Sequence, residues 1–484
     1  MAENFYITTP IFYPTGLPHI GTAYNVFVAD TLARYYRKKL GNDNVLFLTG
    51  TDEHGNNIAK KAEENKQNPQ EYVDHYAEEF KAIWEDLHIT NNYFFRTTNP
   101  EHEKFVAEFI QKSFDTGDIY EGTYEGWYCE GCEAYYSESD LIDGKCPNHP
   151  TKTPIWTSEK NYYFRLSKYQ DWLLDLYKER PDFVQPEKWA AYVRSLVEAG
   201  LNDIPITRAN VKWGIPVPFD PAQTIYVWYD ALPFYLSYLY FNEHNGQDYY
   251  KKFWPGLNHV VGKDIVKFHA ILWPAMLKSA GYEVPQHVLV HGFFTVNGQK
   301  IGKSNNNAID PRELVAKYGV DPVRYALLSE FAVGNDGDFS FERLETKYNS
   351  ELANNWGNLL NRVIHLANNK EIKFDLENVS KAFKPVVDER VANYEKLIEN
   401  FQLFEAIQEV TQLVDFGNKY ITDHKPWEKE RSIESATEVL NNLAYLLDKV
   451  NDLYEPILPD SVVRAREALA TQETIILFPK LDGK

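Results

Sequence analysis

With 484 residues, 44% of them hydrophobic, the chain exceeds what a single core organises and predicts two or three domains. The formal charge of −20, from 50 basic and 70 acidic side chains, excludes a protein that coats nucleic acid nonspecifically: no DNA partner is expected, and any RNA contact must use local patches. No stretch is long and uncharged enough to span a bilayer, and Met1-Ala2-Glu3-Asn4-Phe5-Tyr6-Ile7 lacks the basic start and apolar run of an export signal, so a cytoplasmic protein without membrane contact is expected.

In chain order, Phe5–Thr8 reads as a short strand, followed by a Pro- and Gly-rich loop, a helix from about Thr22 to Leu40 and a buried strand at Val45–Leu48. Parallel strands joined in this way bind nucleotides beyond their carboxyl ends, where a helix amino terminus presents N–H groups to phosphate. Pro18-His19-Ile20-Gly21-Thr22-Ala23-Tyr24 falls at that loop-to-helix junction: Gly21 permits close backbone approach and His19 can donate to developing negative charge. Asp52 follows the second strand in a polar Thr-Asp-Glu-His-Gly run, which suggests a site, with loop capping as the ordinary alternative.

Strand-like runs return at Thr224–Val227, His259–Val261 and His287–Val290, so the sheet is split by an insertion from about 115 to 225. All three cysteines lie there. Cys129-Glu130-Gly131-Cys132, then thirteen residues, then Cys146-Pro147-Asn148-His149 gives two ligand pairs at zinc-knuckle spacing, and four N/S ligands mark a closed, structural site. Gly262 and Asp264 end a strand, where backbone can approach adenosine and a carboxylate can accept from ribose hydroxyls; helix capping is the competing reading for Asp264. Asn297-Gly298-Gln299-Lys300-Ile301-Gly302-Lys303-Ser304 is an Asn-Gly hairpin running into a loop with two lysines three apart, suited to triphosphate. From Pro311 onward helical periodicity dominates, through Glu345–Asn369, Asp388–Asn400, Leu403–Thr422 and Ile433–Tyr454. The expected division is a catalytic domain in two halves (1–114 and 226–310), the insertion (115–225), a linking helical segment (311–344) and a helical domain (345–484).

The His-x-Gly and Lys-x-x-Lys-Ser segments, at opposite ends of an interrupted sheet, resemble the HIGH and KMSKS signatures of class I aminoacyl-tRNA synthetases. Thr22 replaces the second His, and Ile301-Gly302 replaces Met-Ser. Thr8-Thr9-Pro10-Ile11-Phe12-Tyr13-Pro14, Thr49–Gly55, Trp213–Pro218, Val227–Leu232, Val261–His269 and Val290–Val296 are similar to segments of the methionine-specific branch, of the bacterial type with a single zinc knuckle.

The resemblance implies an α/β fold: a Rossmann-like parallel sheet split by a zinc-containing insertion, followed by an α-helical bundle that binds the anticodon. It implies ATP-dependent activation of L-methionine and transfer to the terminal adenosine of tRNA(Met), with Mg²⁺ accompanying ATP and one structural Zn²⁺ on Cys129, Cys132, Cys146 and His149. His19, Thr22, Lys300 and Lys303 would be catalytic, and with Gly21, Gly262 and Asp264 would bind ATP. Asp52 would hold the α-ammonium of methionine. Ile11, Tyr13, Trp228, Ala231, Leu232, Tyr235, Phe268, His269 and Trp273 would line its side-chain pocket, although aromatic residues at helical spacing also suit plain core. Trp427 would stack on an anticodon base, accompanied by Asn354, Asn355 and Arg362. A leucine, isoleucine or valine enzyme would need a longer, editing insertion. A non-catalytic tRNA-binding paralogue is the alternative that the altered signatures raise. A monomer is expected, since the sequence ends without an appended dimerising module.

Overall fold

The computed structural model describes residues 3–129, 134–147, 153–209, 211–241, 246–301 and 307–481. Cys132, His149, Lys303 and Ser304 lie outside them, and of Lys300 only the backbone is described. The chain divides into two compact units: Met1–Pro18, Tyr36–Glu85 and Thr90–His291 form the first, and His19–Tyr35, Asp86–Ile89 and Gly292–Lys484 the second.

The first unit is built on a six-stranded sheet, ordered Tyr93–Arg96, Val45–Thr51, Phe5–Thr8, Leu257–Gly262, His287–His291, Val184–Gln185, with every neighbouring pair parallel. Three of these strands are buried along their whole length, as a sheet covered on both faces requires. Strand order reverses beside Phe5–Thr8, which pairs Tyr6 with Leu257 and Thr8 with His259. Such a switch point opens a crevice at the carboxyl ends of the strands, where ligands of open α/β sheets bind. Gly50 is required within Val45–Thr51, because a Cβ there would stand 1.9 Å from the Phe95 carbonyl oxygen.

The insertion carries its own four-stranded sheet, ordered Ala134–Tyr136, Ile119–Cys129, Ile155–Phe164, Ile204–Pro205, paired antiparallel throughout. Two details differ from the sequence reading. Val184–Gln185, within the stretch assigned to the insertion, adds an edge strand to the main sheet. The expected strand at Thr224–Val227 is instead the end of Asp220–Ile225, which belongs to a separate antiparallel sheet, and a helix starts at Val227. There tertiary packing overrides the β-propensity of Val and Tyr.

The second unit is mainly helical, and Asn358–Asn369, Lys384–Glu399, Leu403–His424 and Ile433–Tyr454 follow the expected periodicity. Pro459–Thr471 adds a further helix. Gly417 admits a close helix crossing, since a Cβ there would meet Leu359 Cδ2 at 2.7 Å. The Asn-Gly hairpin forms as expected: Phe294–Val296 pairs antiparallel with Gln299–Lys300, with φ of 54° at Asn297 and 72° at Gly298. Among the described residues no helix is long and apolar enough to cross a membrane.

Candidate active site

In the first unit, Asp52 leaves the carboxyl end of its strand with its carboxylate Oδ1 buried. Its N–H donates to the Phe12 carbonyl at 3.0 Å, and the Phe12 N–H donates to the Gly50 carbonyl at 2.9 Å, which draws Ile11–Tyr13 alongside. The Tyr13 hydroxyl donates to the His54 carbonyl at 2.9 Å. Glu53 is immobilised: its buried carboxylate accepts from Thr51 Oγ1 at 2.6 Å, from Arg96 Nε at 2.7 Å and from the Thr98 hydroxyl. A loop so pinned presents Asp52 in one conformation.

Trp228 and Phe268 stack face to face, with ring centroids 3.7 Å apart and planes at 8°. His269 meets the Trp228 ring edge-on at 6.3 Å, and its Nε2 lies 3.0 Å from the Tyr235 hydroxyl. His269 Nδ1 lies 3.2 Å from the Ile265 carbonyl, an acceptor only, so Nδ1 carries the proton and the Tyr235 hydroxyl donates to Nε2. Burial lowers the His269 pKa to about 4, which keeps the ring neutral. Burial, together with the nearby charge of Asp52, holds the Tyr235 hydroxyl protonated far above its ordinary range. Ala231 and Leu232 are buried on the helical turn after Trp228. Trp273 is fully buried, with its ring against Phe109 and Trp254.

The sequence reading passed over His259. It is fully buried, with Nδ1 2.8 Å from Thr8 Oγ1 and its ring 4.4 Å from that of Tyr235. Burial, and the neighbouring His269, hold its pKa well below the ordinary histidine value. The available signal was a histidine amid apolar residues on a buried strand.

Gly262 is buried at its strand end, paired with His291, and Asp264 is exposed in the turn that follows. In the second unit, His19 sits at the amino terminus of the helix Ile20–Leu40. Its Nδ1 accepts from the N–H of Gly21 at 3.1 Å and of Thr22 at 3.4 Å, so Nε2 bears the proton. Gly21 makes room for this arrangement, since a Cβ there would stand 3.0 Å from His19 Cε1. Thr22 Oγ1 lies 3.5 Å from the His19 N–H. The Lys300 side chain and Lys303 fall outside the described residues.

Also in the second unit, Trp427 is 42% exposed and the Arg362 guanidinium lies 6.0 Å from its ring centroid. Asn354 is exposed, whereas Asn355 is engaged inward, donating to Asp415 at 2.7 Å and accepting from Asn418 at 2.6 Å. In the insertion, Cys129 and Cys146 are each 1% exposed and share a small cluster with Tyr136. Among the described residues no group of three or more His, Cys, Asp or Glu side chains is arranged to hold a metal ion; Cys132 and His149 lie outside them.

A parallel sheet with a switch point, a His-x-Gly helix start and a helical second unit define a class I aminoacyl-tRNA synthetase, and the family model "tRNA synthetases class I (M)" matches residues 5–153 and 149–364. A model for the "anticodon binding domain of methionyl tRNA ligase" matches residues 375–480. The chain is 44% identical to the methionine–tRNA ligase of Thermotoga maritima over 470 residues, covering 95% of this chain and 74% of that one. It is 44% identical to that of Thermosynechococcus vestitus over 471 residues, covering 95% and 88%. Among solved structures, the methionyl-tRNA synthetase of Mycobacterium tuberculosis in complex with methionyl-adenylate superposes with a TM-score of 0.89 at 34% identity, covering 96% and 94%. The chain belongs to the methionine–tRNA ligase family and is an aminoacyl-tRNA ligase.

Proposed function

We propose that methionine is recognised in the first unit, with Asp52 accepting from its α-ammonium and the stacked Trp228–Phe268 pair and the Tyr235–His269 pair receiving its side chain. The observation that carries this reading is the second pair. A thioether is polarizable and only weakly accepting, so it suits aromatic walls with one neutral polar edge, and His269 is held neutral by burial. Ile11, Tyr13, Ala231 and Leu232 complete the lining. Trp273, whose ring packs against Phe109 and Trp254, is the remaining residue proposed for the lining.

The methionine carboxylate attacks the α-phosphorus of ATP in line and pyrophosphate leaves, so no side-chain nucleophile is needed. His19 Nε2–H and Thr22 donate to phosphate oxygens at the helix amino terminus, and Lys300 and Lys303 follow the departing pyrophosphate. Mg²⁺, entering with ATP, offsets phosphate charge. Gly262 and Asp264 hold adenosine and ribose. The acyl group then passes to the terminal adenosine of tRNA(Met), whose anticodon stacks on Trp427 beside Arg362.

Methionine-dependent exchange of labelled pyrophosphate into ATP, run without tRNA and against each other amino acid, tests the reading. Exchange selective for methionine is expected and disappears in Lys303→Ala; a chain inert with every amino acid would instead be a tRNA-binding paralogue.

Two soft thiols, buried together on one small cluster, suit Zn²⁺, which Cys129, Cys132, Cys146 and His149 would hold as a structural ion. Cys129→Ser is expected to abolish zinc retention, measured by metal analysis of the purified chain, and to speed proteolytic cleavage within the insertion while other segments resist. Full zinc content in that variant refutes the assignment.

A further inference from the structure

One buried carboxylate of the first unit takes no part in the chemistry above. Asp230 is 1% exposed and accepts two hydrogen bonds, from His54 Nδ1 at 2.7 Å and from His102 Nε2 at 2.8 Å. His102 Nδ1 lies 2.8 Å from Ser237 Oγ, and His54, 3% exposed, places Nε2 3.4 Å from Glu103 Oε1. The His54 ring lies against the edge of Trp213, whose Nε1–H donates to the Glu53 carbonyl at 2.6 Å.

What matters is where these groups sit. His54 is two residues beyond Asp52, and its carbonyl accepts from Tyr13. Asp230 lies between Trp228 and Ala231, and Ser237 is two residues beyond Tyr235. Two segments that are distant in sequence and carry proposed methionine contacts, that of Asp52–His54 and that of Trp228–Ala231, therefore meet at a single carboxylate, and His102 links it to Ser237. A buried ion pair adds little net stability over apolar packing of similar volume, and its best-attested use is to fix register.

We propose that Asp230, through paired hydrogen bonds to His54 and His102, is a positioning residue that holds the Asp52 loop in register with the aromatic wall of the methionine pocket. The proposal rests on the methionine-site reading above. The charge states agree with it. Burial alone would strip His54 of its proton, but the charge of Asp230 and the hydrogen bonds His54 donates to Asp230 and Glu103 bring its pKa up to about 10. Burial alone would protonate Asp230, yet the charge of His54 and the hydrogen bond from His102 bring its pKa down to about 2. The pair therefore stays charged from about pH 2 to about pH 10, losing His54 above that window and Asp230 below it. The charged or titratable groups facing it are Glu103 and His102, while Glu53, the residue preceding His54, is taken up by Arg96.

The test is Asp230→Asn in the full chain, which keeps the volume but satisfies only one of two N–H donors and removes the counter-ion of His54. In pyrophosphate exchange the methionine KM is expected to rise by about 10- to 100-fold, from the loss of a buried, charge-assisted bond. The KM for ATP should stay within about twofold, and so should kcat at saturating methionine. The methionine KM should also acquire a pH dependence between about pH 6 and pH 8, absent from the parent, as His54 without its partner titrates nearer its ordinary value. A purely structural brace would lower thermal stability and leave methionine KM and its pH profile unmoved, and that result overturns the proposal. Should the variant fail to fold, Ser237→Ala serves: a rise of about two- to fivefold in methionine KM is expected, and an unchanged KM refutes the idea. Failure of the underlying site reading is separable, because Asp52→Asn would then leave methionine KM unaltered.

Discussion

Replacing Asp52 by Asn is expected to raise the methionine KM by about two orders of magnitude, with kcat/KM for ATP at saturating methionine changed by less than about threefold. The magnitude follows from the cost of leaving a desolvated ammonium without its carboxylate, about 3 kcal/mol, at about 1.4 kcal/mol per decade. Asn is the informative choice because it separates the two readings of Asp52. If the side chain merely capped a loop, the Asn amide oxygen would accept the same hydrogen bonds and affinity would hold. If the carboxylate neutralises the α-ammonium, an isosteric amide keeps the loop and loses the charge. The surroundings favour the second outcome. Glu53 is fixed by Thr51, Arg96 and Thr98, and the Asp52 backbone by Phe12, so the loop has supports of its own. Methionine KM from pyrophosphate exchange, compared for parent and Asp52→Asn, decides it; equal values would remove Asp52 from the site.

Much of this site was legible before the fold was known, for a physical reason. Backbone-dominated features carry local signals: the apolar run Val45–Leu48, the Asn297-Gly298 turn and the His-x-Gly helix start each announce their geometry within a few residues. Features set by contacts between distant segments carry none. Val184–Gln185 has only two residues, too few for any periodicity to show. The π-type turn Phe268–Leu272, which carries Phe268 and His269, is wider than an α-turn, and a 3.6-residue period does not anticipate it. The pairing of His54 with Asp230 spans 176 residues, so each appeared only as a polar residue inside a motif. The family resemblance named the residues proposed for the pocket. It could not say that Asn355 is engaged with Asp415 and Asn418 while Trp427 stays exposed, a difference set by side-chain packing within the helical unit.

The second unit offers the largest stability effect. Arg324 is fully buried, and its Nη1 lies 2.7 Å from Oδ2 of the equally buried Asp30. Its Nε donates to the Ile457 carbonyl at 3.0 Å and its Nη2 to the Pro456 carbonyl at 3.1 Å, while the guanidinium lies over the Phe27 ring. Arg34 also reaches Asp30, at 2.7 Å, but from a partly exposed position. Arg324→Met is therefore expected to cost about 3 to 5 kcal/mol, because it leaves a buried carboxylate half-compensated and two carbonyls without donors. Adding Asp30→Asn should recover part of that loss, since the uncompensated charge goes with it, and the double variant should be more stable than Arg324→Met alone. Urea denaturation followed through the helical signal measures both. Methionine-dependent pyrophosphate exchange per folded molecule should change far less than stability, because the guanidinium touches Asp30, Phe27 and the Pro456 and Ile457 carbonyls and no proposed substrate group. A single variant as stable as the parent would mean that Arg34 alone satisfies Asp30, and that the buried guanidinium serves packing rather than charge.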